Sequence, residues 1–341
     1  MIKVDQNNRI PKYKQIVQEI FKNIKNGNFK HGDQLPSINE LKDSLNVARD
    51  TVIKAYKELN TTGVISSMPG KGYYISKNIH EIEHRIFLLF DLFLSYKQTI
   101  FNAFMENIGE YAMVDIYFHH YNENLYKKLI LESIGQYTDY IIMPLEKLSR
   151  EHEWFDSVLG EKNTYILDVG LDEYADRYPS VCQDFKSSWY DGLSEVEDRL
   201  RKYDRIVMVK YRDPISEFSA PHDLQMLAGF EEFCKDKNFD CYVIDTITDF
   251  KVQKGECYVV SNDDDLVIMI MEARSKGLEI GKDVGFISHN EEPLKSIVGK
   301  NGIATITTDF YEMGRKMAEM INTGKKESVV NPSKIIVRDS I

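Results

Sequence analysis

The chain has 341 residues, of which 43% are hydrophobic and 28% charged, a balance that fits two or three core-forming globular units and excludes collagenous, low-complexity and disordered classes. The longest strongly apolar stretch, Ile86 to Leu94, carries Asp91 and is far below the ~18 residues of a membrane span, and the polar start Met1-Ile2-Lys3-Val4-Asp5-Gln6 has no signal-peptide core, so the expectation is a cytoplasmic protein with no membrane partner. The formal net charge of −11 divides unevenly: residues 1–78 hold 13 Lys+Arg against 7 Asp+Glu, a balance of +6, and the remainder carries −17. Such asymmetry suggests an anion-binding head on an acidic body.

In chain order, Tyr13, Ile16, Val17, Ile20 and Ile24 recur at helical spacing up to Gly27, which predicts a helix over 11–26 with Pro11 at its tolerant start. Ser37-Ile38-Asn39-Glu40 reads as a capping box opening a second, short helix with Ile38, Leu41 and Leu45 on one face. After a break at Asn46-Val47, a third helix turns Val52, Ala55, Tyr56 and Leu59 inward and leaves Arg49, Asp50, Ile53, Lys54 and Lys57 off the core stripe. Two β-prone segments, Val64–Ser67 and Gly72–Ser76, flank Met68-Pro69-Gly70-Lys71 as a hairpin. Three helices and a hairpin make a winged helix-turn-helix.

Residues 8–77 resemble the DNA-binding domain of GntR-type bacterial transcription regulators. The resemblance is carried by Pro11-x-Tyr13, Gly32-Asp33-Gln34-Leu35-Pro36-Ser37, Glu40-Leu41, Leu45-x-Val47-x-Arg49-x-Thr51-Val52, Ala55-Tyr56, Leu59, Gly63 and Gly70-Lys71-Gly72. It implies that the third helix enters the major groove and that the wing approaches the minor groove. Ser37, Arg49, Asp50, Thr51, Lys54, Gly70, Lys71 and Gly72 then form the DNA-binding set. An arginine fork suits guanine O6 and N7, whereas a lysine suits phosphate. Two departures stand out: Ala48 replaces the usual Ser or Thr helix cap, and Asn39 replaces the usual Arg.

The rest alternates strand-like and helix-like stretches. Arg85–Phe93, Val114–Tyr121, Tyr140–Pro144, Thr164–Val169, Arg205–Lys210, Asp240–Ile244, Cys257–Ser261 and Val284–Ser288 read as strands. Helices are expected over Tyr96–Glu110, Leu125–Gly135, Phe185–Arg201, His222–Lys237 and Asp263–Lys276. This implies parallel sheets with helices on both faces, and two such sheets leave a cleft at the carboxyl ends of their strands. The fold class expected overall is α/β.

Residues 85–341 resemble the effector domain of LacI-type regulators, which is itself similar to periplasmic sugar-binding proteins. The matching residues are Asp91, Ile166-Leu167-Asp168-Val169, Leu227-Ala228-Gly229-Phe230, Val260-Ser261-Asn262-Asp263, Gly281-Lys282-Asp283-Val284, Asp309-Phe310-Tyr311-Glu312-Met313-Gly314 and the run Ile335 to Ser340. The resemblance implies a domain division at 1–77, 78–84 (linker) and 85–341. It also implies a homodimer on an inverted-repeat operator in double-stranded DNA, and a monosaccharide or derivative bound by Asp91, Asp168, Asn262, Asn290 and Phe310. Met226 stands where the family commonly has a sugar-clamping Arg, with Gln225 and His222 as possible substitutes.

Other motifs argue for little. His80-Glu81-Ile82-Glu83-His84 satisfies H-E-x-x-H but sits in the linker, without room for the long buried helix a zinc protease needs. His119-His120 reads as a strand end, and Asn60-Thr61-Thr62 means little as a glycosylation site in a cytoplasmic chain. Cys182, Cys234, Cys241 and Cys257 lack C-x-x-C spacing and read as buried or indifferent thiols. No catalytic or cofactor pattern is present, so the expectation is a non-enzyme without cofactor or metal. Two alternatives remain: a GntR-type head fused to an aminotransferase-like, pyridoxal-phosphate-type domain, and a DNA binder with a ligand-blind dimerisation body.

Overall fold

The computed structural model describes residues 2–5, 10–61, 63–76, 83–145, 151–210, 221–244, 251–298 and 301–341. The chain divides into two compact units, one made of 1–87, 110–115 and 127–139, the other of 88–109, 116–126 and 140–341.

In the first unit, helices α1 (Lys12–Lys25), α2 (Ile38–Leu45) and α3 (Arg49–Thr61) precede the antiparallel hairpin of β1 (Ile65–Met68) and β2 (Gly72–Ile75). The capping box forms as the sequence requires: the Glu40 amide donates to Ser37 Oγ at 3.2 Å, and the Ser37 amide donates to the Glu40 carboxylate at 2.7 Å. These bonds, the backbone one first, hold the Glu40 carboxyl below its usual range. Asn46 closes α2 in the left-handed conformation, φ 52°, which Asn tolerates better than most residues. Ile16, Ile20, Ile24, Leu41, Val52, Ala55, Tyr56 and Leu59 make one core. Tyr56 is wholly buried, and its hydroxyl donates to the Pro36 carbonyl at 2.6 Å, so its polar tip is satisfied where the chain enters α2.

The elements that follow are β3 (His84–Phe90), α4 (Ser95–Asn107), β4 (Ala112–Phe118), α5 (Glu123–Ser133), β5 (Asp139–Ile142), α6 (Glu151–Leu159), β6 (Asn163–Asp168), α7 (Leu171–Tyr174), β7 (Ser180–Cys182), α8 (Phe185–Glu195), α9 (Glu197–Leu200), β8 (Arg205–Val209), α10 (Pro221–Lys237), β9 (Cys241–Ile244), β10 (Glu256–Val260), α11 (Asp263–Ser275), β11 (Gly285–His289), β12 (Ala304–Thr308), α12 (Phe310–Thr323), β13 (Ser328–Val330) and β14 (Ser333–Ile336). They build two six-stranded sheets, ordered β13-β7-β6-β5-β3-β4 and β14-β12-β11-β10-β8-β9. In the second sheet β9, β8, β10, β11 and β12 run parallel, and β14 closes its edge antiparallel.

The chain passes between the two sheets three times: after β7 at Gln183-Asp184, after β12 at Asp309, and after β13 at Asn331-Pro332. Two helix pairs are drawn close by glycine. A Cβ on Gly314 of α12 would lie 2.2 Å from the Ile100 carbonyl oxygen of α4, and one on Gly229 of α10 would lie 2.2 Å from the Lys186 carbonyl oxygen of α8.

Several expectations need correction. Phe185–Arg201 is two helices, because Val196 leaves helical geometry (φ −108°, ψ 15°) and its amide turns back to the Leu193 and Ser194 carbonyls. The H-E-x-x-H run includes His80–Ile82, which lie outside the described residues, as does Thr62 of the sequon. His84 opens β3 and hydrogen-bonds Asp139 at 2.8 Å. Cys234 and Cys241 are not thiols: they form a disulfide between the last turn of α10 and the start of β9, Cα atoms 6.2 Å apart. Their pairing follows from the tight turn that joins those two elements, where the Phe239 amide bonds the Cys234 carbonyl. Among the described residues, no helix is long and apolar enough to cross a membrane.

Candidate functional site

The exposed surface of the winged helix gathers the expected DNA-facing residues. Arg49, Asp50, Lys54 and Lys57 are exposed on α3, and Thr51 is half-buried beside them. The amide of Thr51 takes the Ala48 carbonyl at 3.0 Å, so the helix starts on a backbone bond where Ala48 offers no side-chain cap. Lys54 is not simply solvated: its ammonium lies 3.9 Å from the centre of the Tyr13 ring, a cation–π contact that holds it along α1. Ser37 is exposed, but its hydroxyl serves the capping box.

The wing turns on two glycines in the left-handed half of backbone space, Gly70 at φ 73° and Gly72 at φ 105°. Lys71 between them bonds through its amide to the Met68 carbonyl, and its own carbonyl accepts from Gln34 at 2.7 Å and from the Tyr74 hydroxyl at 3.2 Å. Gln34 thus braces the wing from the loop before α2, a role the sequence reading did not assign.

The second unit gathers a different set at the carboxyl ends of its strands. Asp91, one residue past β3, is buried; it accepts from the Tyr121 hydroxyl at 2.9 Å, from the Leu92 amide and from the Lys97 ammonium, with which it forms an ion pair. Burial pushes the Asp91 carboxyl up, but the Lys97 charge and these hydrogen bonds outweigh it and leave it below its usual value. Lys97, in the first turn of α4, is only 1% exposed, and no sequence argument singled it out.

Asp168 ends β6 with φ 72°, a left-handed backbone that turns its side chain out of the strand. One carboxylate oxygen accepts from Gln183 Nε2 at 2.6 Å; the other has the Tyr96 hydroxyl at 3.3 Å, a long bond. Burial raises the Asp168 carboxyl above its usual range, although Lys97 and Gln183 pull the other way. Phe310, the first residue of α12, lies 4.6 Å from the Tyr96 ring at a tilt of 34°. Asp91, Asp168 and Phe310 are therefore brought together through Lys97 and Tyr96.

Asn262 and Asn290 form a second group. Asn262 caps α11, its side-chain oxygen accepting from the Asp264 and Asp265 amides at 2.9 and 3.2 Å. Asn290 follows β11 with φ 59°, and its buried side-chain oxygen has no hydrogen-bond partner among the described residues. The two are linked by Lys295, whose ammonium bonds the His289 and Asn290 carbonyls at 2.7 and 2.8 Å and pairs with Asp263 at 2.7 Å. His289, Phe185, Trp189 and His222 make an aromatic wall, with ring centres 5.3 to 6.3 Å apart. Desolvation lowers the His289 imidazole to about 3, so it is neutral at physiological pH. Met226 is buried on the core side of α10, and Gln225 reaches Asp172 at 2.5 Å. His119, directly after β4, is wholly buried and is lowered by that burial to about 4.

Residues 12–75 match the model of the family described as bacterial regulatory proteins, gntR family. Over 78 residues the chain is 42% identical to the HTH-type transcriptional repressor YtrA of Bacillus subtilis, an alignment covering 23% of this chain and 60% of YtrA. Over 66 residues it is 38% identical to the HTH-type transcriptional regulator YcxD of the same organism, covering 19% of this chain and 15% of that one. The match thus spans less than two thirds of either relative. Among solved structures, the Lac repressor bound to ONPG in its repressed state superposes with a TM-score of 0.62 at 14% identity, covering 86% of this chain and 90% of the repressor. The Escherichia coli transcriptional repressor ascG gives 0.57 at 14% identity, covering 75% and 98%. These likenesses show the fold, which replaces the aminotransferase-like alternative for the body. The chain carries a gntR-family winged-helix domain at residues 12–75 and, behind it, a two-lobed α/β domain with the fold of the Lac repressor.

Proposed function

We propose that this protein is a cytoplasmic, ligand-responsive transcription regulator, acting as a repressor, that binds an inverted-repeat operator in double-stranded DNA and senses a monosaccharide or a derivative. Its working parts are the head 1–77, the linker 78–84 and the effector domain 85–341. The observation that carries the ligand half is Asp168: a carboxylate 1% exposed at a strand end, with one oxygen fixed by Gln183 and the other held, among the described residues, by a long bond from Tyr96, whose ring packs on Phe310. A hydroxyl of a sugar can take that second oxygen while its C–H surface lies against an aromatic face. Asn290 supplies a buried acceptor with no partner among the described residues, and Asn262 contributes from the cap of α11.

In the head, Arg49 and Thr51 take base edges or phosphate, Lys54 and Lys71 take phosphate, and Gly70 and Gly72 let the wing approach. Ser37 and Asp50 flank that surface. Dimerisation is supported by large apolar side chains that the fold leaves uncovered: Val267, Ile268 and Met271 on α11, and Leu294 and Ile297 in the turn after β11, are each more than half exposed. A second copy of the chain is the occupant that gives a palindromic operator its symmetry.

Thermal unfolding of the full chain against a panel of pentoses, hexoses and their derivatives tests the ligand half, since a ligand specific for the native state raises stability by RT ln(1 + [L]/Kd). At least one sugar raises Tm in the wild type and not in Asp168→Ala; a panel without any shift refutes carbohydrate sensing. Met271→Glu converts the dimer to monomer in analytical ultracentrifugation, and an unchanged mass refutes this face.

A further inference from the structure

The three crossovers between the sheets are tied to one another. The Asn331 amide donates to the Cys182 carbonyl at 2.8 Å, just before the first crossover. The Asn331 side-chain amide donates to Thr308 Oγ1 and to the Asp309 carbonyl, both at 2.8 Å, at the second. Thr308 Oγ1 and the Asp309 amide in turn donate to the Pro332 carbonyl at 2.9 and 3.1 Å, at the third. Asn331 is 2% exposed, so water cannot readily replace these bonds, and any shift of one crossover is felt by the others.

The cleft carboxylate enters this cluster at two points. Gln183, the first crossover residue, is 5% exposed and binds Asp168 twice, its amide to the Asp168 carbonyl at 2.9 Å and its side chain to the carboxylate at 2.6 Å. On the other side, Tyr96 reaches the remaining carboxylate oxygen and packs on Phe310, the residue that follows the second crossover. The two bonds to the carboxylate are unequal. Gln183 makes a short one and Tyr96 a long one, so a donor arriving in the cleft displaces Tyr96 and leaves Gln183 in place.

We propose that Gln183 is the positioning residue that couples Asp168 to the interlobe crossovers. It holds the carboxylate fixed to the first crossover, while displacement of Tyr96 by a bound hydroxyl or amine group breaks its ring contact with Phe310 at the second. Occupancy is thereby converted into a changed angle between the lobes. This rests on the reading of Asp168 as a ligand contact, but its mechanical part can be measured without a ligand.

The test is amide hydrogen exchange on the full chain, comparing wild type, Gln183→Met, which keeps the bulk and removes the donor, and Asp168→Asn, which keeps the acceptor and removes the charge. Gln183→Met speeds exchange at the Asn331 and Asp309 amides about fivefold or more, the loss expected for one buried hydrogen bond, while Ile166 and Leu167 in β6 stay slow. Asp168→Asn keeps the crossover amides within about twofold of wild type, because the bond survives. Unchanged exchange at Asn331 and Asp309 in Gln183→Met overturns the coupling. So does equal acceleration in both variants, or acceleration that includes Ile166 and Leu167, since these mark loosening of the lobe. Failure of every sugar to shift Tm, by contrast, refutes only the choice of carbohydrate as ligand.

Discussion

Replacing Lys97 with Met isolates what the buried ion pair does. The Lys97 side chain is 1% exposed and that of Asp91 is 7% exposed, so the pair belongs to the interior, where breaking one partner strands the other charge and costs about 3–5 kcal/mol. Met keeps the aliphatic stem, so little of this is lost packing. The penalty falls on two carboxylates, because Lys97 lowers the ionisation range of Asp168 as well as of Asp91. Asp91→Asn is the milder change, since Lys97 then retains Asp168 as a nearby counter-charge.

The pH dependence gives the sign. In the wild type the folded Asp91 carboxyl titrates below its unfolded value, so its contribution is present above the unfolded pKa and is lost as pH falls through the lower, folded one. Without Lys97, burial, the largest influence on both carboxyls, is opposed mainly by the hydrogen bonds from Leu92 and Tyr121 at Asp91 and from Gln183 at Asp168, so both rise, and the variant is least stable at neutral pH and recovers relative to wild type as acid protonates them. Urea unfolding followed by circular dichroism at pH 7 and at pH about 4, near the unperturbed carboxylate range, measures this gap. An exposed pair, Lys282 with Glu279, serves as control, and Lys282→Met gives no resolvable change. A loss below about 1 kcal/mol for Lys97→Met, or a gap that widens in acid, refutes the account.

Two further outcomes follow from the packing and the charge. Arg49→Ala weakens binding to a verified operator by about 1–3 kcal/mol in anisotropy titrations, whereas Lys71→Ala reduces the salt dependence by about one phosphate contact; if neither moves, α3 and the wing do not face DNA. Gly314→Ala places a methyl 2.2 Å from the Ile100 carbonyl oxygen and lowers stability by about 1–3 kcal/mol in urea unfolding, and a neutral result means α12 and α4 separate at little cost.

The head was legible because its signals are local. A capping box, an apolar stripe every three or four residues and glycines at a hairpin are decided within a few residues of where they are read, and Ser37, Glu40, Val52 and Gly70 all sit as their neighbours dictate. The body was legible in most of its longer elements, although α12, with 14 residues, entered only as part of the LacI-type resemblance and was not read as a helix. Strands β7 and β13 have three residues each, too few for alternation to appear, and β14 is recognisable only through its pairing with β12. Lys97 escaped notice because a lysine in Tyr96-Lys97-Gln98 at a helix start looks solvated; its burial depends on Asp91 six residues earlier and on Asp168 far along the chain. The Cys234–Cys241 disulfide depends likewise on the turn between α10 and β9 rather than on a spacing motif.

The placement of positive charge narrows what the cleft accepts. Met226 lies in the core and brings no charge, and the buried cations Lys97 and Lys295 are already engaged, Lys97 by Asp91 and Lys295 by Asp263 and the His289 and Asn290 carbonyls. An anionic ligand must compete with Asp91 for Lys97 or with Asp263 for Lys295, and it meets the Asp168 charge wherever that carboxyl is ionised. A neutral polyol meets neither obstacle, because hydroxyls donate to carboxylate oxygens without adding charge. In calorimetry at neutral pH, neutral sugars therefore bind more tightly than the corresponding sugar acids, by about tenfold or more if repulsion between unpaired like charges costs even 1.4 kcal/mol in this buried setting. For a neutral sugar, affinity rises with pH through the Asp168 titration, because ionised carboxylate is the stronger acceptor. Tighter binding of the acid form shows that Lys97 or Lys295 leaves its carboxylate when ligand arrives, which makes that ion pair a gate rather than a fixed wall, and loss of the preference in Lys97→Met assigns it to the Asp91 pair.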